Sequence, residues 1–110
     1  MSESPWDEMA QALLELERAL RELGFWAAAP PAADRMSSAA PFCIDTLSFE
    51  EWLQWILIPR LGGIAARRER LSAGASIMPM GEQSFAHLGR RQQPLLVVLA
   101  QIDQLSHKLL

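Results

Sequence analysis

A chain of 110 residues and 12.3 kDa, half of it hydrophobic, can bury about two-thirds of its surface and is expected to form one domain over residues 1–110. That composition excludes disorder throughout and leaves little room for a large catalytic scaffold. The formal charge of −3 argues against a dedicated polyanion binder, yet it is unevenly spread: ten acids and three bases give −7 in residues 1–59, and three acids and seven bases give +4 in residues 60–110.

In chain order, the first element reads as a helix over about 5 to 23. Trp6, Met9, Leu13, Leu16, Leu20 and Leu23 recur at alternating spacings of three and four, which paints one apolar stripe. Ser4 is placed to cap it, Pro5 suits the first helical position, Asp7 completes the capping pattern, and Gly24 can take the left-handed conformation that ends it. Residues 25–41 contain Pro30, Pro31 and Pro41 and form a long connection; Phe25, Trp26 and Phe42 supply anchors that would pin it across the bundle.

A second helix is expected after Ser48. Ser48 and Glu51 form a capping box, and Leu47 with Trp52 occupies the positions of a hydrophobic staple. The run Trp52-Leu53-Gln54-Trp55-Ile56-Leu57-Ile58 is apolar around nearly the whole circumference, which suits a central position. Pro59 should kink or end this helix, and the basic stretch from Ile64 to Leu71 should resume it as an exposed extension. Residues 72–81 read as a loop, followed by a short helix over about Glu82 to Leu88 closed by Gly89. A last helix starts near Pro94 with Leu95, Val98, Leu99, Ile102, Leu105 and Leu109 on one face, and with Gln101, Asp103, Gln104 and Lys108 outside. No segment alternates like a strand, so the fold class is all-α, a bundle of about four helices.

The densest motif is Pro41-Phe42-Cys43-Ile44-Asp45-Thr46, followed after a short gap by Glu51-Trp52-Leu53-Gln54-Trp55-Ile56-Leu57-Ile58-Pro59-Arg60. It resembles the YqcC-like family of small bacterial proteins, whose pattern is nearly Pro-Phe-Cys-x-Asp-Thr, a gap, then Glu-Trp-Leu-Gln-Trp-x-x-Ile-Pro-Arg. The resemblance implies a four-helix all-α fold and no established reaction. It also implies an association with tRNA modification, since family genes often lie beside a tRNA pseudouridine synthase gene.

The residues themselves leave two readings open for this motif. Cys43, between Phe42 and Ile44, reads as a small buried core residue; as a nucleophile it would need a neighbouring cation to hold the thiolate. Trp52 and Trp55 lie on adjoining sides of one helix and suit either core packing or a ligand groove, and Gln54, polar among apolar neighbours, must find partners or face water. Asp45 and Arg60 flank the block and would form a forked pair, Glu51 being the second choice for Arg60. The candidate binding set is therefore Asp45, Trp52, Gln54, Trp55 and Arg60. No catalytic residue is assigned.

Arg67, Arg68 and Arg70 offer at most weak, salt-sensitive RNA contact on an acidic protein. His87 and His107 are too far apart for a local metal motif, so neither a metal nor another cofactor is expected. One cysteine forms no internal disulfide, the start Met1-Ser2-Glu3-Ser4 has no signal-peptide character, and no apolar run reaches membrane-spanning length, all of which suits a cytoplasmic protein. The expected function is a non-catalytic interaction or accessory protein with a protein partner, a tRNA-modification enzyme being the first to test. The alternative is a small-molecule binder or minor enzyme with a pocket near Trp52 and Trp55.

The Asp45–Arg60 pair is testable by a double-mutant cycle. Asp45→Asn and Arg60→Gln together should cost less stability in chemical denaturation than the sum of the single changes, and additive losses would show that the two side chains do not meet.

Overall fold

The computed structural model describes residues 4–36 and 47–110, and among these it is all-α with four main helical segments and no strand. The first helix, α1 (Pro5–Glu22), begins as its sequence predicts: the Ser4 hydroxyl accepts from the Asp7 backbone N–H and Pro5 opens the first turn. Its stripe buries Met9, Leu13, Leu16 and Leu20, and Gly24 at φ 78° turns the chain away. The connection that follows contains one short turn of helix, α2 (Ala33–Met36).

The next rod is continuous from Phe49 to Arg67 and is built in three parts: α3 (Phe49–Trp52), a π-helical turn (Leu53–Leu57) and α4 (Ile58–Arg67). Its start carries the full capping box of Ser48 and Glu51. Pro59 neither ends nor breaks the rod, contrary to the sequence expectation. Pro59 has no N–H to give, and its ring would press on the Trp55 carbonyl of an ordinary α-turn. The chain instead widens just before it: the Ile58 N–H reaches back five residues to the Leu53 carbonyl. The wide turn has a second effect. In a plain α-helix a stripe of every fourth residue drifts by about 40° per step, and slower rotation through the π turn offsets that drift. Leu53, Leu57, Leu61 and Ala65 thus stay buried on one face.

The exposed helical extension expected as far as Leu71 stops at Arg67. Arg68 adopts φ 52°, a left-handed conformation rare for a residue with a side chain. Contacts with the start of α1 hold it there. The Arg68 guanidinium donates to the Ser4 hydroxyl (3.0 Å) and the Asp7 carboxylate (3.3 Å) and lies over the Trp6 ring, while the Trp6 indole N–H donates to the Glu69 carbonyl (2.8 Å).

Helix α5 (Met78–Ser84) starts four residues ahead of its expected place, within what the sequence reads as a loop. Its cap comes from α6 (Gln93–Lys108), far along the chain. The Asp103 carboxylate accepts from the Ile77 N–H at 2.8 and 3.0 Å and from the Met78 N–H at 3.0 Å. One turn on, the fully buried Ser106 hydroxyl accepts from the Ala75 N–H and donates to the Asp103 carbonyl, both at 2.7 Å. Asp103 therefore does not sit outside the fold. A 3₁₀ segment (Ala86–Gln92), bent at Gly89, joins α5 to α6.

Helix α1 packs against both α4 and α6, and α5 closes over α6. Phe85, fully buried, stacks on Phe25 at 5.5 Å and meets Phe49 at 5.7 Å, so one ring joins the connection after α1, the start of α3 and the end of α5. No helix of the described residues is long and apolar enough to cross a membrane.

Replacing Ser106 with Ala strips the Ala75 N–H of its acceptor inside the fold. We expect a loss of about 1–3 kcal/mol in chemical denaturation with the helical circular dichroism unchanged.

Candidate functional site

The rod from Phe49 to Arg67 carries the described half of the motif, and the widened turn decides where its side chains go. Gln54 points inward and is only 5% exposed. Its amide N–H donates to the Ala27 carbonyl and its amide oxygen accepts from the Ala27 N–H, both at 2.8 Å. The carboxamide thus pairs with one peptide unit as a neighbouring strand would, satisfying both of its own ends and both groups of Ala27. This bond pins the connection after α1 against the rod, so the odd polar residue of the motif is engaged within the chain.

The clamp sets Trp26 beside Trp55. With Ile58, Pro59 and the aliphatic part of Arg21 they line a shallow groove of about 640 Å³. Arg21 lies over the Trp26 ring at 4.9 Å while its Nε donates to Glu17 at 2.9 Å, so the one charged pair at this groove is internally balanced. The Trp55 indole N–H is shielded from solvent and finds no acceptor among the described residues.

Trp52 and Arg60 face a second groove on the other flank of the rod. Trp52 is half-buried, stacked on Phe49 at 5.8 Å and packed against the core. Trp52, Ile56, Arg60 and Ile64 form one wall, and residues 70–77 form the other, around about 600 Å³. The candidate residues are therefore divided: Gln54 and Trp55 on one groove, Trp52 and Arg60 on the other. Asp45 and Cys43 lie outside the described residues.

The three arginines following α4 are exposed, and each is engaged within the chain. Arg67 donates to Glu69 at 2.6 Å, Arg68 holds Ser4 and Asp7, and Arg70 donates to the Leu110 carbonyl at 2.9 Å. Exposed bridges of this kind contribute about 0–1 kcal/mol and would yield to a stronger anion. Among the described residues no group of three His, Cys, Asp or Glu side chains gathers to hold a metal ion.

The second wall was not legible in the sequence. Residues 70–77 show no apolar period, and the groups that fix them, Asp103, Ser106 and the Leu109 carbonyl, belong to a helix whose own pattern marks only its core face.

Gln54→Glu keeps the acceptor for the Ala27 N–H and replaces the donor to its carbonyl by a buried charge. It should cost about 1–3 kcal/mol in denaturant unfolding and speed proteolysis between residues 27 and 36, whereas a neutral outcome would show that the clamp contributes nothing.

Comparison with known proteins agrees with this architecture. A family model described as tRNA pseudouridine synthase C matches residues 8–105. An uncharacterized protein of Haemophilus influenzae is 35% identical over 101 residues, covering 92% of this chain and 94% of that protein. A tRNA pseudouridine synthase C of Pectobacterium carotovorum is 46% identical over 55 residues, which are half of this chain and 15% of that enzyme. YqcC of Escherichia coli is 31% identical over 99 residues, covering 90% and 91% of the two chains. Its solution NMR structure superposes with a TM-score of 0.83 at 29% identity over 98% of this chain and 92% of that one. By sequence across nearly its whole length, and by the course of its helices, the chain belongs to the YqcC-like family of small helical bacterial proteins.

Proposed function

We propose that this chain is a non-catalytic accessory domain that acts with a tRNA pseudouridine synthase in the cytoplasm. One observation carries the reading: half of the chain has a counterpart, at 46% identity, inside a single polypeptide named as that enzyme. Joining two modules in one chain raises the effective concentration of each for the other, often to the millimolar range. An arrangement of that kind is useful when the modules work at the same place, and separate chains then need a surface that brings them together.

The use made of the polar side chains supports an accessory role. Gln54 clamps Ala27, Asp103 and Ser106 fasten residues 75–78, and Arg68 ties the end of α4 to the start of α1. What remains for a partner is apolar and aromatic surface with arginine beside it, the composition that dominates binding energy in protein interfaces. Arg67, Arg68 and Arg70 would supply no more than an auxiliary contact to the tRNA held by the enzyme.

The test is to mix the full chain with the pseudouridine synthase of the same organism, measure association by calorimetry, and follow pseudouridine formation in tRNA with and without the chain. We expect a complex and a higher rate or tighter tRNA binding. Absence of association in the presence and absence of tRNA would overturn the proposal.

A further inference from the structure

The groove between the rod and residues 70–77 differs from its neighbour in charge and in how it is held open. Its charged lining residues are Arg60 and Arg70, with no acid among the described lining residues, although acids outnumber bases in the chain by thirteen to ten. The opposite groove contains a Glu17–Arg21 pair and is balanced. An occupant of the first groove therefore meets positive potential over an apolar floor of Ile56, Ile64 and Leu71, all half-exposed.

The far wall is braced from behind. The Leu71 N–H donates to the Leu109 carbonyl (2.8 Å), the Ala75 N–H to Ser106, and the Ile77 and Met78 N–H groups to Asp103. Gly74 passes so close to His107 that a Cβ there would lie 2.3 Å from the imidazole, so the loop is drawn tightly onto α6. Each brace pulls residues 71–78 toward α6, which keeps them from collapsing onto Ile56 and Ile64. A groove fixed in this way asks little reorganisation of its occupant.

The geometry points to this groove as the docking site for a short acidic, amphipathic segment of the partner pseudouridine synthase, its apolar side chains on Ile56, Ile64 and Leu71 and a carboxylate toward Arg60 and Arg70. The assignment rests on the accessory function proposed above and deepens it by naming the surface and the chemistry of what it receives. From Ile56 to Ile64 the rod offers about 12 Å of wall, room for roughly two turns of helix, and helix-in-groove docking with a charged edge is a common mode of recognition.

The sign of the charge is the decisive variable. Ala73 is exposed on the far wall, so either charge can be placed there without touching the core. Titrating the full chain with the purified synthase of the same organism, we expect Ala73→Glu to weaken binding by about tenfold relative to Ala73→Lys, which is similar in length. Arg70→Gln should weaken it as well, with an affinity that falls as salt is raised. Ala28→Glu, exposed on the opposite groove, should leave binding unchanged, and circular dichroism confirms that each variant is folded. Equal effects of Glu and Lys at position 73, or a loss confined to Ala28→Glu, would overturn this assignment while leaving the accessory function in place. Retained synthase binding by Arg70→Gln with loss of binding to tRNA alone would overturn it in favour of an RNA surface. No binding by the unaltered chain would overturn the accessory function and this assignment with it.

Discussion

Pro59 cannot donate a backbone hydrogen bond, and the rod it occupies must nonetheless run unbroken from Phe49 to Arg67. The π turn over Leu53–Leu57 reconciles the two demands. It accommodates the proline, keeps Leu53, Leu57, Leu61 and Ala65 in register against the core, and turns Gln54 inward onto the backbone of Ala27. Trp55 and Trp52 are thereby left on opposite flanks, each at the edge of a groove. A motif that reads as one cluster along the chain becomes two surfaces in space.

The second organising device is polar and comes from the other end of the molecule. Asp103 and Ser106 lie one turn apart on α6, and together they satisfy the N–H groups of Ala75, Ile77 and Met78. This caps α5 where its own sequence provides no cap, because Ile77 precedes its first turn. It also fixes the outer wall of the Arg60–Arg70 groove. The core side of α6 supplies cohesion through Leu95, Leu99 and Ile102, while its two polar residues decide the path of a loop that would otherwise have few constraints.

Both grooves lie along a helix whose sequence seems too apolar for a surface. The four-helix arrangement explains why it is not central. Helix α4 packs directly on α1, and that contact takes one face of the rod. Trp52, Trp55, Ile56 and Ile58 extend beyond it and are half-buried rather than enclosed. Such partial exposure of large side chains is costly in isolation and is a recurrent mark of surfaces that meet another molecule. The even charge balance of one groove and the positive lining of the other give the two surfaces different chemical preferences.

The sequence by itself determined what depends on neighbours along the chain. The apolar stripe and Ser4 cap of α1, the Ser48–Glu51 capping box, the stop at Gly24 and the core face of α6 are all local patterns, and the structure realises each of them. So too the motif from Glu51 to Arg60 was enough to suggest the family. Tertiary structure decided the rest, because the deciding partners are remote. Arg68 ends α4 early by reaching Ser4 and Asp7 more than sixty residues away, α5 begins early because Asp103 caps it from α6, and Gln54 is internal because Ala27 lies opposite. A hydrogen bond between segments is specified by where the helices bring them, and no spacing within either segment announces it.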